Sequence, residues 1–506
     1  MPQTTAPADS LGTRAARGSL WLGLVNLASK GSQMAVTLVL AIFLTEADLG
    51  LVTVAVSLVN IGQVIQTMGV YDVVARTRGD ENAMAGTVLV MSVSAGLVMA
   101  VGGVALCVPL AHLLGAPGAA PLIAIVAVGL PFTAVGGVQM AIMHRNLDFR
   151  RRMLPDAGSA LAGAVVTVGL AAAGAGSYSL AVGMLVTAIL QPLFGYAVGS
   201  RVRLRWDSAV AGEAIGWIKL VGPAAVVSYV LINIDYLIIS RVLGPDAVGI
   251  YSLAFRIAWV PYIMVAVVLG AVAFPVYTTL IRAARHHELS AAAGQFTHAT
   301  LLVVGGLYVI AALIADSIVL LGEHWAASVP VLIVLCGYGL IVSVLVIWYE
   351  VLRAADWLRV YLLLEISHLV VVSTLLVALV GRGVVAAAWA QVIAASALLL
   401  PTYLVMRRAG VAPGIVAIGR GVLGLAIPVI GCLAADAGLR AAGLGQTVTW
   451  AGTVVEAVVL VVVFCVLTWA ANRAVLRDLR ALRRGESARE GADNQRAAGG
   501  SARRSR

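Results

Sequence analysis

The chain has 506 residues, of which 61% are hydrophobic and only 11% are charged. Soluble globular proteins carry about 25% charged residues, so this composition excludes a soluble protein and indicates a membrane protein. The formal net charge of +10 comes mainly from arginines in loops and in the C-terminal tail. This distribution is typical of a membrane topology signal and argues against nucleic-acid binding.

Apolar segments long enough to cross a bilayer recur along nearly the whole sequence. A membrane-spanning helix needs about 20 mostly apolar residues. The first segment has no small-residue cleavage site and is expected to remain as a helix. We therefore predict an all-α integral membrane protein with about 14 transmembrane helices. Their approximate limits are 18–43, 50–70, 86–111, 120–143, 157–175, 178–200, 220–242, 248–276, 297–321, 328–352, 360–380, 383–405, 417–436 and 447–471.

The basic residues predict the orientation of these spans. With a cytoplasmic N-terminus, 29 of the 34 basic residues fall in inner loops and the C-terminal tail, and three fall in outer loops. Because arginine and lysine accumulate on the cytoplasmic side, both termini are predicted to be cytoplasmic. The N-terminal tail is predicted at 1–17, and a disordered basic tail at 472–506. The expected location is a bacterial cytoplasmic (inner) membrane.

Short patterns at the starts of spans occur twice. Each pair keeps its order along the chain at nearly one offset, which predicts an internal duplication. The pairs are Gly50 with Gly249, 199 residues apart, and the LLG triplets at 113–115 and 320–322 and the glycines Gly176 and Gly383, each 207 residues apart.

The duplication predicts two six-helix bundles, at 18–200 and 220–405, joined by a cytoplasmic linker at 201–219. An additional two-helix hairpin follows at 417–471. Because each copy has an even number of spans, both copies have the same orientation, and the substrate path is expected between them. The first hairpin of each copy is the predicted wall of a central cavity.

Lys30 lies near the middle of the first predicted span, with Asn26 and Gln33 on the same helical face. A charge inside the bilayer is costly and normally faces water or a partner. These three residues are therefore candidates to line the substrate cavity. The alternative is a structural lysine bonded to a helix carbonyl.

Asp235 and Arg256 are predicted at equal depth on adjacent spans, about 12 Å from the outer ends of those helices. They form a candidate ion pair. The pair could either lock the hairpin or line the cavity, and the sequence leaves both interpretations open. Gln63 on the second span is a further candidate for the cavity.

Glu365 and His368 share a face of the eleventh predicted span and are candidates for ion coupling by proton transfer. A plain polar contact between helices is the alternative. Glu350 is expected to pair with Arg353, three residues later. Gln391 is a weaker candidate. Glu456 lies outside the duplicated body, and the sequence assigns it no role.

Several classes of site are not expected. The four cysteines lie in apolar spans without metal-ligand spacing. A G-x-x-x-x-G-K-[ST] loop is absent from the sequence, so no ATP site is predicted. We expect no metal, no cofactor and no catalytic residues. No outer loop is long enough to build a processing site for a substrate, so the protein is not expected to be an enzyme.

Four segments carry a resemblance to a known family. The sequence resembles the polysaccharide transporter, or Wzx-type oligosaccharide flippase, family of the superfamily that includes lipid II flippases and MATE drug antiporters. The resemblance implies a V-shaped pair of bundles around a central cavity, which opens alternately to each side and moves lipid-linked glycans outward. The segments are LTEADLG at 44–50, NIDYLIISRVLGPDAVGIYSLAFRIAWVP at 233–261, AVAFPVY at 271–277 and LLGEHWAASVPVL at 320–332.

The predicted function is export of a polyprenyl-diphosphate-linked oligosaccharide for cell-envelope glycan or exopolysaccharide. A polar, anionic headgroup needs cations and amide or aromatic groups to cross hydrocarbon. The alternatives are a MATE-like drug or cation antiporter and a membrane-embedded glycan-processing enzyme. Expected partners are the lipid-linked glycan, membrane lipids and glycan polymerase or glycosyltransferase machinery. A monomer is sufficient, because both halves lie in one chain.

Overall fold

The computed structural model describes residues 38–67, 81–146, 148–442 and 448–471, and every regular element within these ranges is helical. The α-helices are α1 Glu46–Thr67, α2 Glu81–Leu113, α3 Ala120–Val128, α4 Leu130–Arg145, α5 Phe149–Met153, α6 Ser159–Ala172, α7 Ser177–Ala197, α8 Ser208–Leu243, α9 Pro245–Pro261, α10 Val267–Arg282, α11 His286–Leu313, α12 Ser328–Ala354, α13 Leu358–Leu379, α14 Val384–Arg408, α15 Ile415–Ala441 and α16 Trp450–Ala471.

Thirteen segments of the described residues are long and apolar enough to cross a membrane. They correspond to the second through fourteenth predicted spans, so the all-helical, multi-pass membrane fold is confirmed. The first predicted span lies mostly outside the described residues, which include only its helical end at 38–43. The internal repeat and the domain limits stay predictions.

Two spans contain local breaks in the helix. The span Pro117–Arg145 is divided at Gly129 into α3 and α4. The span Pro245–Arg282 contains a π-helical turn, Tyr262–Ala266, directly after Pro261. Proline lacks the N–H of a normal helical hydrogen bond, and single π turns often occur at functional sites. This turn brings Tyr262 into the cavity described below.

The predicted linker 201–219 is partly helical. Residues 201–207 have no helical structure, but α8 begins at Ser208, inside the predicted linker 201–219. The helix starts there because Asp207 caps it: its Oδ1 accepts hydrogen bonds from the backbone N–H groups of Ala209 (2.9 Å) and Val210 (3.4 Å).

The N-terminal half (α1–α7) and the C-terminal half (α8–α14) meet where α1 crosses α9. A Cβ atom added to Gly50 would collide with the carbonyl oxygen of Pro245, and one added to Gly249 would collide with that of Glu46. Both contacts join residues that exchange under the 199-residue offset, as expected at a two-fold axis. Small residues allow two membrane helices to approach this closely.

Further contacts close the same end of the interface. Thr53 and Ser252, which are also 199 residues apart, have their hydroxyl oxygens 3.3 Å from each other. The Ser240 hydroxyl donates to the carbonyl of Leu114 (2.7 Å). At this end, which is predicted to face outward, the two halves are therefore in direct contact.

The last helix pair packs against the C-terminal half, with α15 on α11 and α16 on α15. Arg440 on α15 forms an ion pair with Asp316 after α11 (3.3 Å), which joins the last helix pair to the C-terminal half. Its guanidinium also contacts Asp436 on α15 itself (3.0 Å). Cys432 and Phe464 of this pair share a small apolar cluster with Ile310. The pair thus thickens one side of the C-terminal half.

Candidate functional site

The C-terminal half encloses a cavity of about 170 Å³ between α8, α9, α12, α13 and α14. It brings together Asp235, Glu365 and His368, three of the residues singled out in the sequence. Its wall is otherwise formed by aromatic and aliphatic side chains and a few polar ones. The remaining lining residues are Ser228, Leu231, Ile232, Phe255, Trp259, Tyr262, Tyr338, Val342, Leu345, Val346, Tyr349, Glu350, Arg353, Tyr361 and Gln391.

Asp235 is almost fully buried on α8, and its carboxylate is bound from two neighbouring helices. Its Oδ2 accepts hydrogen bonds from the Tyr251 hydroxyl of α9 (3.0 Å) and the Gln391 amide of α14 (3.2 Å). The backbone N–H of Tyr236 donates to Oδ1 (2.9 Å). Because buried polar groups must be satisfied, this network fixes three helices of the half against one another.

The predicted ion pair between Asp235 and Arg256 is not formed. Instead, Nη2 of Arg256 donates to the Thr53 hydroxyl of α1 (3.4 Å), across the interface between the halves. The physical reason is helical rotation: Tyr251 and Arg256 are five positions apart, about 140° around α9. When Tyr251 faces Asp235, Arg256 points towards the other half.

Glu365 is half-buried on α13 and accepts two hydrogen bonds. The Ser228 hydroxyl of α8 donates to Oε2 (2.5 Å), and the Tyr361 hydroxyl donates to Oε1 (2.9 Å). His368 is buried one turn further along α13. Its Nε2 has no hydrogen-bond partner among the described residues. The two side chains therefore face one cavity, and the histidine retains an open donor or acceptor position.

Glu350 and Arg353 form the expected ion pair, with Nη1 of the arginine 2.8 Å from Oε1 of the carboxylate. Both residues line the cavity. Arg353 also lies over the ring of Phe274, 5.6 Å from its centroid. The prediction of this pair from its three-residue spacing is confirmed.

An aromatic cluster forms one wall. The ring of Trp259 lies 5.0 Å from that of Phe255 and 4.3 Å from that of Tyr262, measured between centroids. Tyr338, Tyr349 and Tyr361 also line the cavity and were not predicted from the sequence. Tyr338 and Tyr349 are eleven positions apart, which is one helical face, and this spacing was the available signal.

The other predicted cavity residues lie elsewhere. Lys30, Asn26 and Gln33 fall outside the described residues, and their role stays a prediction. Gln63 is half-buried on α1 and does not contact the cavity of the C-terminal half. The predicted central cavity between the halves therefore stays a prediction, and Gln63 is not among the residues that line the cavity of the C-terminal half.

The chemistry of the enclosed cavity suits a small cation or a proton rather than a glycan. Ligand sites for drug-sized molecules measure about 300–1,000 Å³, which exceeds this volume. The wall carries three carboxyl groups, of Asp235, Glu350 and Glu365, against one arginine. The described residues contain no group of three or more histidine, cysteine or acidic side chains arranged to hold a metal ion.

Comparison with known proteins gives the family. Residues 39–330 match a family described as polysaccharide biosynthesis protein, over more than half of the chain. The chain belongs to this family. The family-level resemblance noted in the sequence is thereby confirmed.

Two curated relatives of the chain are also similar. ExoT, a succinoglycan biosynthesis transport protein of Rhizobium meliloti (strain 1021), is 27% identical over 319 residues, covering 62% of this chain and 63% of ExoT. WzxC, a lipopolysaccharide biosynthesis protein of Escherichia coli (strain K12), is 24% identical over 344 residues, covering 66% of this chain and 69% of WzxC. The match thus spans less than two thirds of the length of ExoT.

Solved structures show the same fold. The lipid II flippase MurJ, in an inward closed conformation, matches with a TM-score of 0.72 at 13% identity, over 91% of this chain and 99% of MurJ. An inward-facing multidrug resistance transporter of the MATE family matches with a TM-score of 0.64 at 16% identity, over 77% of this chain and 98% of that one. At these identities the likeness establishes the fold.

Proposed function

We propose that the protein is a flippase that moves a polyprenyl-diphosphate-linked oligosaccharide across the bacterial cytoplasmic membrane by alternating access. The observation that carries this proposal is the family match over residues 39–330. It is supported by similarity to two polysaccharide and lipopolysaccharide biosynthesis proteins, one of which is a transport protein. The role proposed is transport and not catalysis.

The route proposed for the headgroup is the interface between the halves. Arg256 already reaches across this interface to Thr53 on α1. On the predicted first span, Lys30, Asn26 and Gln33 would add a cation and two amides to the same path. Cations bind phosphates through charge-assisted hydrogen bonds, and amides bind sugar hydroxyls.

The enclosed cavity of the C-terminal half is proposed to couple transport to an ion. Glu365 and His368 would exchange protons there, with Asp235 holding the surrounding helices in place. This arrangement is supported by the carboxylate's two hydroxyl partners and by the open Nε2 of the histidine. Protonation changes the charge of the cavity and so biases its packing.

A second candidate function is export of a cationic drug, as in the MATE family. One observation favours it: the enclosed cavity has three carboxyl groups and one arginine, an acidic balance that attracts cations. Its volume of about 170 Å³ argues against a drug-sized ligand in this conformation.

The transporter is proposed to act as a monomer, with the glycan polymerase or glycosyltransferases as its partners.

Both termini are proposed to be cytoplasmic. Cysteine labelling from outside tests this orientation. A probe at Glu323 should be modified, whereas one at Arg151 should be protected. The reverse pattern would invert the topology.

Translocation in proteoliposomes tests the proposed function. The purified full-length protein should move a labelled polyprenyl-diphosphate-linked oligosaccharide and leave a cationic dye in place. Lys30→Ala should abolish this movement at normal protein yield, and Lys30→Arg should retain part of it, because a positive charge is required. Dye export without glycan movement would favour the MATE-like function.

A further inference from the structure

A groove of about 650 Å³ lies at the end of the N-terminal half that is predicted to be cytoplasmic. Its volume is in the range of small-molecule binding sites. It lies apart from the enclosed cavity and from the α1–α9 contact. The lining residues come from α2, α4, the turn after α4, α5 and the segment 198–205 that leads to α8.

The groove is strongly basic. Four arginines line it, Arg151, Arg201, Arg203 and Arg205, against a single carboxylate, Asp148. Asp148 is already paired with Arg151 at 3.4 Å. With this pair counted as neutral, Arg201 and Arg203 still contribute two positive charges to the groove.

Two of these arginines are open to a ligand. Arg201 and Arg203 are exposed, and neither forms an ion pair with any residue in the part of the chain that the structure describes. Arginine presents a planar fork of donors that matches phosphate oxygens. Two exposed arginines in this groove, with no ion pair among the described residues, therefore favour binding of a phosphate-bearing ligand.

The basic segment is held in place. The amide of Gln139 on α4 donates to the carbonyl of Ser200 (3.2 Å), and the Thr87 hydroxyl on α2 donates to that of Arg205 (3.3 Å). Between them, Gly86 leaves so little space that an added Cβ would lie 2.7 Å from the carbonyl oxygen of Arg203. A preordered backbone lowers the entropy cost of binding a ligand.

The segment also has the character of a membrane interface. Its arginines alternate with Val202, Leu204 and Trp206, and the last two are 71% and 59% exposed. Exposed tryptophan and leucine beside arginine are typical of a segment that lies among lipid headgroups. The phosphate that reaches the groove would therefore belong to a lipid.

We propose that this groove binds the diphosphate headgroup of the lipid-linked glycan at the cytoplasmic surface, before the glycan enters the path between the halves. The inference rests on the proposed function. Charge complementarity selects this occupant, since the two positive charges of Arg201 and Arg203 match a diphosphate better than the single charge of an ordinary phospholipid.

Binding to the full-length protein in nanodiscs tests the inference, with undecaprenyl diphosphate and phosphatidylglycerol as separate probes. The double variant Arg201→Gln, Arg203→Gln should weaken binding of the diphosphate lipid by roughly tenfold or more, as expected for lost charge-assisted contacts. Phosphatidylglycerol binding should change little. Because both side chains are exposed, thermal stability should stay the same.

The matched control is Arg407→Gln, Arg408→Gln at the end of α14. It removes the same charge from the other half, where Arg408 lies 207 residues after Arg201, and should leave diphosphate binding unchanged. Equal losses in both double variants, or equal losses for both lipids, would overturn the proposal. So would unaltered diphosphate binding in the groove variant.

Translocation separates this inference from the proposed function. The groove variant should need a higher substrate concentration for half-maximal rate and keep its maximal rate. If the unaltered protein binds the diphosphate lipid through these arginines but moves no glycan, the proposed function fails and the groove stands. If the unaltered protein moves glycan and the groove variant has the same concentration dependence, the proposed role of the groove is rejected and the proposed function is kept.

Discussion

The two halves of the molecule make similar contacts at their shared interface, but their cavities carry different side chains. Gly50 and Gly249 make reciprocal contacts across the interface. The N-terminal half carries the basic groove, whereas the cavity with three carboxyl groups lies in the C-terminal half. At an offset of 207 residues, its Glu365, His368 and Gln391 correspond to Gly158, Leu161 and Met184.

This difference separates two constraints on a transporter with the predicted duplication. The crossing of α1 and α9 needs a small residue on both helices, because each backbone approaches the other. The proposed ion coupling needs a site in only one half, because one coupling site can bias a two-state movement. Substitutions at Gly50 and Gly249 test the contact that both halves share, and a substitution at Glu365 tests the cavity that lies in one half.

The largest effect is expected from Gly50→Ala and Gly249→Ala. Each added Cβ would strike a backbone carbonyl of the opposite helix, and neither helix can relieve this by moving a side chain. We expect each substitution to destabilise the closed protein by roughly 3 kcal/mol. Because the contacts are reciprocal, the two losses should be similar in denaturant or thermal unfolding.

The controls are Gly169→Ala on α6 and Gly337→Ala on α12, where an added Cβ meets nothing within 4 Å. These should be neutral or stabilising by up to about 1 kcal/mol, since alanine favours helix. Strongly unequal losses at Gly50 and Gly249 would break the proposed symmetry of the contact.

Glu365→Gln tests the cavity of the C-terminal half. The amide keeps the size of the side chain and removes its charge, so glycan translocation should fall by roughly tenfold or more, a typical coupling between two sites. Protein yield should stay near normal. The assay is translocation in proteoliposomes under an imposed proton gradient.

Glu456→Gln is the matched control, because it neutralises an intramembrane carboxylate on α16, outside both halves. It should leave translocation nearly unchanged. Full activity of Glu365→Gln would remove Glu365 from ion coupling and leave it as a polar contact between α8 and α13.

A smaller effect is expected from Tyr251→Phe. The substitution removes the hydroxyl that donates to Asp235, and a hydrogen bond to a charged group contributes about 1.5–3 kcal/mol. Asp235 keeps its bonds from Gln391 and the backbone, so the protein should fold with lower stability. Thermal unfolding of the purified variant measures the loss.

Tyr277→Phe provides the comparison within the same half. Tyr277 is fully buried, and its hydroxyl has no partner among the described residues. Removing that hydroxyl should be neutral or slightly stabilising. Equal losses for the two tyrosines would show that the bond to Asp235 contributes nothing.

The membrane-spanning helices could be predicted from the sequence, because each span is a continuous apolar segment of the chain. Gly50 and Gly249 were paired by their positions in the predicted repeat, but their contact across the interface was not predicted. The Glu350–Arg353 pair was found because it is local to one helix. Local and periodic features of this kind do not depend on how helices rotate against one another.

The predicted ion pair between Asp235 and Arg256, which does not form, shows the limit of predicting contacts from depth in the membrane. Equal depth placed Asp235 and Arg256 at one level, but depth does not fix the rotation of each helix about its axis. Rotation is set by packing across several spans, including the bond from Gln391, which lies 156 residues away from Asp235. The tyrosines of α12 were missed because the helix reads as apolar around its whole circumference.

Trp325 gives the contact between the halves an optical reporter. Its indole is completely buried in the C-terminal half, and its Nε1 donates to the carbonyl of Ala41 in the N-terminal half (2.8 Å). Any state in which the halves part at this end must break that bond and bring water to the ring. Tryptophan emission should then shift to longer wavelength, and subtracting the spectrum of Trp325→Phe isolates this signal from the remaining tryptophans.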